Sequence, residues 1–573
     1  MDLPTFWDNF EVIAEAPGGV QRLRELILDL AVRGKLVPQD PTEGQAQEQL
    51  ANLRNERAEH LAKTADSNTE YRRMLKKLSA LESSVPPFDI PSNWSIAHLI
   101  DLSLLVVDCH NKTAPTTFEG IPLIRTTNIR NRQFRFHGMK YVDQDTYEFW
   151  SRRCFPEPGD IIFTREAPMG EATIIPDGMK VCLGQRTMLI RVFEQFVDRN
   201  FVLLALTEPG LIKRLASNAV GMTVKHLRVK DVEQICLPLP PLAEQKRIVA
   251  KVDELMAMCD RYEVSKCDRN TLRTKMRASA NDALMNAETD ESLNTAWEFV
   301  QEHWECLIQE PEEVETVRKV ILQLGARGKL SKQTVTDGSV DKVIEQAQHE
   351  KNALSKKKPF PKLRKIKPLD EVEQPFQIPR SWTWVRVETI CTHIVDCLHR
   401  TPKYQENGYP AIRTSDIQPG KILVDQARKV GIEEYQTQTQ RLIPQEGDIF
   451  YSREGNFGIA AVVPPQCEIC LSQRMMQFRV ASNIDPYFFS WVMNAPVIFN
   501  QALNDAAGMT VPHVNIRSLK QFVFPLPPFA EQKRIVIKVD QLMTFCDNLE
   551  AHLHETQEKA TALAAAVVGQ LEV

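Results

Sequence analysis

One segment of the chain combines positive charge with aromatic side chains. Residues 121–153 contain three acidic residues, interspersed Phe and Tyr, and seven basic residues: Arg125, Arg130, Arg132, Arg135, Lys140, Arg152 and Arg153. Ammonium and guanidinium groups bind phosphate oxygens, and the forked guanidinium also matches the O6 and N7 atoms of guanine. The segment therefore has the residue types needed for phosphate contact and base reading. A solvated charged surface is the alternative interpretation of the same composition.

Two pairs of arginines occur at matching positions of similar sequence motifs, one member early and one late in the chain. Arg125 and Arg413 each precede hydroxyl, amide or carboxyl side chains, and Arg165 and Arg453 each lie in a GDIxxxRE run. Arginines in such places contact nucleic acid or, alternatively, are buried partners that fasten strands to one another. Both interpretations remain open from the residues alone.

Two turns of the sequence GMT precede further polar groups. Gly221 lies just before Lys225 and His226, and Gly508 lies before His513. Glycine permits close backbone approach, which suits a phosphate-contacting loop, although a plain turn is the alternative. The full set of residues predicted to contact DNA is Arg125, Thr126, Asn128, Arg130, Arg132, Arg135, Arg165, Arg186, Lys225, His226, Arg413, Thr414, Asp416, Arg453, Arg474 and His513.

The sequence patterns of common catalysts that act on DNA are not found. An amino-methyltransferase needs Asn or Asp before Pro-Pro-Tyr/Phe, but Val85 and Leu526 occupy that place. The RGKL runs at 33–36 and 327–330 have neither the spacing nor the hydroxyl of a phosphate-binding P-loop. The Cys467–Cys470 pair has no second pair nearby to complete a zinc site. We expect a non-catalytic protein without a metal ion.

Composition is that of an ordinary globular protein. The 573 residues suffice for several domains, and 43% hydrophobic with 25% charged residues is close to average. A net charge of −5 does not decide about nucleic acid, because affinity depends on where the basic residues lie. The 12 cysteines are expected to be reduced thiols. Without a basic and apolar leader or about 18 consecutive apolar residues, we expect a cytoplasmic protein that does not contact membranes.

The chain contains the same pattern twice, about 290 residues apart. LRELILDLAVRGKL at 23–36 returns as VRKVILQLGARGKL at 317–330, and PLPPLAEQKRIV at 238–249 returns as PLPPFAEQKRIV at 525–536. Between 237–263 and 524–550, 19 of 27 positions are identical; between 129–158 and 417–446 only 5 of 30 are. One scaffold thus carries a segment that has diverged. This distribution indicates two readers of different half-sites.

Each copy predicts a mixed α+β domain between helical regions. Short β-branched and aromatic runs alternate with Gly, Pro and Asp turns through the two domains, and amphipathic helices at 17–37 and 311–331 are expected to end at Gly34 and Gly328. The predicted organisation is an N-terminal helical region at 1–87, a first recognition domain at 88–238, a helical spacer at 239–310, a helical region with a basic linker at 311–375, a second recognition domain at 376–525 and a final helix at 526–573.

The helix after each domain has apolar residues at alternating steps of four and three. This spacing predicts rods of about 40 residues that form an antiparallel coiled coil, in a circular organisation with pseudo-twofold symmetry. The ILxLxxRGKL helix of the other copy is expected to join each rod. The residues predicted to form the helix–helix spacer are Ile248, Val252, Leu255, Cys259, Tyr262, Ile535, Val539, Leu542, Cys546 and Leu549.

The combination of these motifs resembles the specificity subunits of type I restriction-modification enzymes. The resemblance rests on the repeated PLPPxAEQKRIV, GDIxxxRE, GMTV and IPxxW motifs and covers roughly 17–285 and 311–565. It implies two target-recognition domains that read a bipartite DNA target, and helices that dock two methyltransferase subunits. Restriction subunits are further implied partners, and S-adenosylmethionine, ATP and magnesium are expected only in the partner subunits. A free-standing DNA-binding regulator and a protein-interaction scaffold are the alternatives.

Overall fold

The computed structural model describes residues 10–65, 69–77, 88–110, 112–218, 226–356, 366, 369–398, 400–506 and 513–572. The chain divides into two compact units: residues 1–268 with 557–573, and residues 269–556. Among the helices in these ranges, none is long and apolar enough to cross a bilayer.

The first unit is built around a four-stranded antiparallel sheet in the order β2–β10–β7–β8, with a smaller three-stranded sheet in the order β6–β3–β9. Strand β1 pairs with β11, and β4 with β5. The strands are β1 Ser95–His98, β2 Ser103–Asp108, β3 Ile121–Ile124, β4 Ile129–Arg130, β5 Gln133–Phe134, β6 Lys140–Val142, β7 Ile161–Thr164, β8 Ala172–Ile174, β9 Cys182–Leu183, β10 Thr187–Val192 and β11 Cys236–Leu239. The helices are α1 Gly19–Val32, α2 Ala46–Thr64, α3 Thr69–Lys77, α4 Leu99–Leu102, α5 Gln144–Ser151, α6 Arg199–Leu206, α7 Pro209–Asn218, α8 Val229–Glu233 and the beginning of α9 Leu242–Asn286.

The second unit repeats this plan. Its main sheet has the order β13–β22–β19–β20. Each of these strands begins 288 residues after its counterpart in the first unit, as Cys391 of β13 follows Ser103 of β2. The strands are β12 Thr383–Arg386, β13 Cys391–Asp396, β14 Tyr404–Gln405, β15 Tyr409–Ile412, β16 Ile417–Gln418, β17 Lys421–Ile422, β18 Lys429–Val430, β19 Ile449–Ser452, β20 Ala460–Val462, β21 Cys470–Leu471, β22 Met475–Val480 and β23 Val523–Leu526. The helices are α10 Asp290–Glu302, α11 Trp304–Leu307, α12 Val314–Ala326, α13 Val340–Ser355, α14 Val387–Ile390, α15 Ile432–Gln438, α16 Pro486–Met493, α17 Pro496–Ala506, α18 Ile516–Gln521 and α19 Phe529–Glu572.

The α+β class and the two long helices agree with the sequence prediction. Helices α9 and α19 contain 45 and 44 residues, close to the 40 expected. Each belongs to both units, because the boundaries fall after Asp268 and after Thr556. Whether α9 and α19 form an antiparallel coiled coil, with pseudo-twofold symmetry, stays a prediction.

The predicted seam residues are largely buried, and the first of them pack on the short helix of their own copy. Ile248, Val252, Leu255 and Cys259 are fully buried in a cluster with Leu23 and other residues of α1, which belongs to the same copy. Likewise Ile535, Val539 and Cys546 pack in one cluster with α12 residues, and Tyr262, Leu542 and Leu549 are partly buried. Further along α9, Ala280 and Leu284 share a cluster with Val320 and Leu324 of α12, so this rod also contacts the ILxLxxRGKL helix of the other copy, as expected. The apolar stripes of a rod and its neighbouring short helix are complementary within one copy.

Both short helices end where the sequence predicts, at a glycine. Gly34 and Gly328 have φ angles of 69° and 71°, which side chains with a Cβ rarely adopt. A Cβ at Gly34 would lie 2.5 Å from the Pro91 ring, and one at Gly328 would lie 2.9 Å from the Trp382 ring. The RGKL and IPxxW motifs thus pack directly on each other.

Candidate functional site

The polar residues of interest in the first unit gather where the main-sheet strands meet their loops. Asp108 ends β2, and Arg165 follows β7. Their side chains form a salt bridge of 2.8 Å and are 9% and 8% exposed. Arg165 also donates to the carbonyl oxygen of Leu227 at 3.0 Å. Burial raises the pKa of Asp108, and the nearby guanidinium opposes that shift.

The second unit has the same ion pair, between Asp396 and Arg453 at 3.1 Å. Both side chains are largely buried, with 12% and 14% exposed. Of the two interpretations left open for Arg165 and Arg453, the geometry favours strand fastening. A buried arginine with a carboxylate partner holds the sheet edge together and has little surface for DNA.

Arg186 and Arg474 occupy a more accessible position at the same edge. Each has a left-handed backbone, with φ angles of 67° and 68°, and a side chain that is 52% or 54% exposed. Each pairs with the glutamate after the buried arginine, Arg186 with Glu166 at 3.0 Å and Arg474 with Glu454 at 3.1 Å. Non-glycine residues with such φ angles are uncommon and concentrate at functional sites. These two guanidiniums are the clearest shared contact candidates.

Two predicted contact residues instead support the adjacent loops. Asn128 is buried: its amide oxygen accepts from the Arg125 backbone, and its amide nitrogen donates to the Arg135 carbonyl. Asp416 is 2% exposed and accepts from both the backbone and the guanidinium of Arg413. Burial of these groups contradicts the prediction that they contact DNA. The sequence signal was ambiguous, because Asn and Asp close turns as readily as they bind ligands.

The arginines and threonines of the same loops are partly exposed. The Arg125 guanidinium donates to the Gly138 carbonyl at 2.8 Å, and the Thr126 hydroxyl donates to the Ala167 carbonyl at 3.2 Å. Arg413 is held by Asp416, and Thr414 is half-buried. These side chains lie at the surface of the domain, so their prediction as contact residues stands.

The β4–β5 hairpin separates three arginines that the sequence grouped together. Arg130 folds back to donate to the Thr126 carbonyl at 2.7 Å, while the Arg135 side chain is exposed. Arg132 is half-buried at the turn, with a φ of 64°. Burial lowers its pKa, opposed by Asp253 of α9. The Arg132 side chain therefore lies near the long helix, which weakens its candidacy for reading bases.

The structure describes two of the three predicted contact residues that follow the glycine turns. Lys225 lies outside the described residues, as do both GMT turns. His226 is half-buried and forms an isolated backbone bridge with Glu166, and His513 forms the matching bridge with Glu454. Both histidines thus lie next to the glutamates that bind Arg186 and Arg474.

The segment that differs between the copies is anchored by the few positions that they share. The five identities between 129–158 and 417–446 are Ile129, Val142, Tyr147, Arg153 and Pro156. Four of these side chains are buried. The fifth, Arg153, donates to the Asp108 carbonyl, as Arg441 does to the Asp396 carbonyl. The shared positions hold the segment to the scaffold, and the diverged positions are free to vary.

A pair of buried glutamates escaped the sequence reasoning. Glu244 is fully buried at the beginning of α9 and accepts from Trp94 Nε1 at 3.0 Å and Gln39 Nε2 at 2.7 Å. Burial raises its pKa. Glu531 accepts from Trp382 Nε1 at 2.9 Å in the second copy. These contacts explain why AEQKR and IPxxW recur together: they fasten each domain to its long helix. The sequence AEQKR is identical in both copies, and this identity could have pointed to the two glutamates.

No cluster of three or more His, Cys, Asp or Glu side chains that could hold a metal ion occurs in the described part of the chain. The cysteines of the described residues form no disulfide bond with one another. Burial raises the pKa of Cys154, Cys182, Cys391 and Cys470 to about 12, which keeps these thiols protonated.

Two α+β domains of one scaffold, each with an exposed arginine and a segment that differs between them, fit the class of modular DNA-recognition proteins. The profile of the type I restriction modification DNA specificity domain matches residues 110–264 and 379–558. The chain belongs to this family.

Curated relatives of known name agree with this assignment. The chain is 26% identical to the type I restriction enzyme EcoAI specificity subunit of Escherichia coli, over 96% of this chain and 93% of the relative. It is 24% identical to the EcoEI specificity subunit of the same organism, with the same coverage. A solved structure from a study of complex assembly in the type I system covers 85% of this chain and 99% of its own at 17% identity, with a TM-score of 0.46.

Proposed function

We propose that this chain is the specificity subunit of a type I restriction-modification enzyme, which reads a bipartite asymmetric DNA target with its two domains. The observation that carries the proposal is the repeat, in which one scaffold presents a different segment in each copy. Equivalent scaffolds suit two equivalent partners, and different segments suit two different half-targets.

The proposed partners are double-stranded DNA, two methyltransferase subunits and restriction subunits. S-adenosylmethionine, ATP and magnesium would bind to those partners, because the sequence of this chain lacks the motifs that hold them. The proposed place of action is the cytoplasm, where the target DNA of such a system lies. The long helices α9 and α19 would set the distance between the half-targets.

The chain alone is expected neither to methylate nor to cut DNA. Co-expression with a type I adenine methyltransferase subunit from the same host should yield a co-purifying complex that transfers methyl groups to one bipartite sequence, read by methylation mapping of the host genome. Methyl transfer by the isolated chain, or a complex that methylates without a bipartite target, would contradict the proposal. A free-standing regulator would bind a specific duplex without any partner.

Arg186→Ala and Arg474→Ala are each expected to weaken binding of the complex to every duplex alike. Because both arginines are shared by the two copies and exposed, they suit phosphate rather than discriminating contacts. Each change should reduce the slope of log affinity against log salt by about one and leave the methylated sequence unchanged. Fluorescence anisotropy over a salt series measures this slope.

Arg165→Ala provides the contrast. It would leave the buried Asp108 without its salt-bridge partner, and breaking a buried ion pair in this way destabilises proteins by about 3–5 kcal/mol. A lower melting temperature is therefore expected for Arg165→Ala and not for Arg186→Ala. A changed target sequence in Arg186→Ala would show that this residue reads bases instead.

A further inference from the structure

The first domain has an aromatic cluster, formed by two residues of its diverged segment and His110, at positions where the second domain has no aromatic ring. The rings of His110 and Trp150 lie 4.9 Å apart, and those of His110 and Phe149 lie 5.5 Å apart. Phe149 and Trp150 are adjacent residues at the end of α5, and their ring centroids are separated by 5.4 Å. The three rings thus form one continuous group at the domain surface.

The outer ring of this cluster is open to solvent. Phe149 is 51% exposed, whereas the Trp150 indole nitrogen donates to the Lys112 carbonyl oxygen at 3.4 Å. The guanidinium of Arg152 lies 3.9 Å from the centre of the Phe149 ring and donates to the Phe149 carbonyl at 2.6 Å. Trp150 is therefore held in place, and Phe149 with Arg152 forms the exposed tip.

Cationic side chains lie beside the cluster, next to a helix that also carries Asp145 and Glu148. Burial, and to a smaller extent the charges of Arg152, Lys112 and Arg153, lowers the pKa of His110. An exposed aromatic ring with a guanidinium against it matches a polyanion with apolar faces, which is the chemistry of DNA: cations contact phosphates, and rings contact bases. A protein partner would need a compensating acidic surface as well as an apolar one.

The second domain has different chemistry at the matching positions. With the 288-residue offset, His110, Phe149, Trp150 and Arg152 correspond to Leu398, Thr437, Gln438 and Gln440. The cation that both copies keep, Arg153 or Arg441, is the one bonded to the scaffold. Features shared by both domains cannot distinguish two half-targets, whereas a feature of one domain alone can.

We propose that Phe149, supported by Trp150 and His110 and flanked by Arg152, contacts the bases of the first half-target and contributes to its specificity. The inference rests on the proposed function and assigns one surface element to it. Phe149 supplies an apolar face for a base or a thymine methyl group, and Arg152 supplies a phosphate or base-edge contact.

Phe149→Ala tests the proposal in the complex with the methyltransferase subunits, after the wild-type target has been mapped. The variant is expected to lose about ten-fold or more in affinity for a duplex carrying that target, with no loss for a scrambled duplex and no change in salt slope. Arg152→Ala should also reduce the salt slope, by about one. Fluorescence anisotropy measures both quantities, and methylation mapping should show relaxed sequence in the first half only.

Matched variants separate the outcomes. Phe149→Tyr keeps the ring and should retain wild-type preference, and Thr437→Ala, at the corresponding place in the second domain, should leave the first half-target unchanged. Equal melting temperatures exclude misfolding of Phe149→Ala. If that variant binds and methylates with full preference, the inference is overturned. If the wild-type complex itself prefers no sequence, the proposed function fails instead.

Discussion

Replacing residues 129–158 by the sequence of 417–446 is expected to change one half of the methylated target and to leave the other half intact. The two segments have equal length, and the five positions that they share are those that attach the segment to the scaffold. Ile129 and Val142 are fully buried, and Ile417 and Val430 occupy the same places in the second copy. The transplanted segment thus brings its own anchors.

The direction of the exchange matters for folding. Residue 132 of the first copy corresponds to Gly420, where a Cβ would lie 2.5 Å from the Trp491 ring and the φ angle is 76°. The first domain has Leu204 at the place of Trp491, so it should accept the glycine-containing segment. The reverse transplant is expected to destabilise the second domain, and Gly420→Arg alone should reproduce that loss of thermal stability.

Methylation mapping across a genome reads the result. The first half of the target should become that of the second domain, because base contacts follow the transplanted side chains. An unchanged first half in a folded, active complex would mean that base reading lies outside 129–158. The loops that contain Arg186 and His226 would then be the next candidates.

Leu255→Asp is expected to produce the largest loss of stability among changes in the long helices. Leu255 is fully buried among apolar side chains in the cluster that joins α9 to α1, where a carboxylate would lose its hydration. Burying such a charge costs several kcal/mol, so the helix should separate locally from its neighbour. Denaturant unfolding and hydrogen exchange of α1 and α9 measure the effect.

Two further leucines provide the controls. Leu272 lies on the same helix but is 66% exposed, so Leu272→Asp should be nearly neutral. Leu542 is only partly buried and should give an intermediate effect. The complex with Leu255→Asp should also lose its discrimination between half-target spacings that differ by one base pair. Undiminished discrimination would contradict the proposal that the helices set that distance.

Much of the architecture could be predicted because it depends on local sequence patterns and on the internal repeat. Steps of four and three residues indicate which side of α9 is apolar, and glycine after the last turn predicts where α1 ends. Comparison of the two copies separates scaffold from diverged segment without any knowledge of contacts. These features depend on residues close in sequence or on self-similarity, so they are visible in one chain.

The tertiary structure alone decided which arginines are available. Arg165 and Arg186 look equivalent in the sequence, yet Arg165 is buried against Asp108, 57 residues earlier, while Arg186 is half exposed. Asn128 and Asp416 likewise proved to close loops. Ion pairs and burial depend on side chains that folding brings together from distant parts of the chain, and one-dimensional spacing carries no record of that proximity. The same reason explains why Leu255 packs on its own copy's α1: the apolar stripe predicts a partner helix, but only packing selects it.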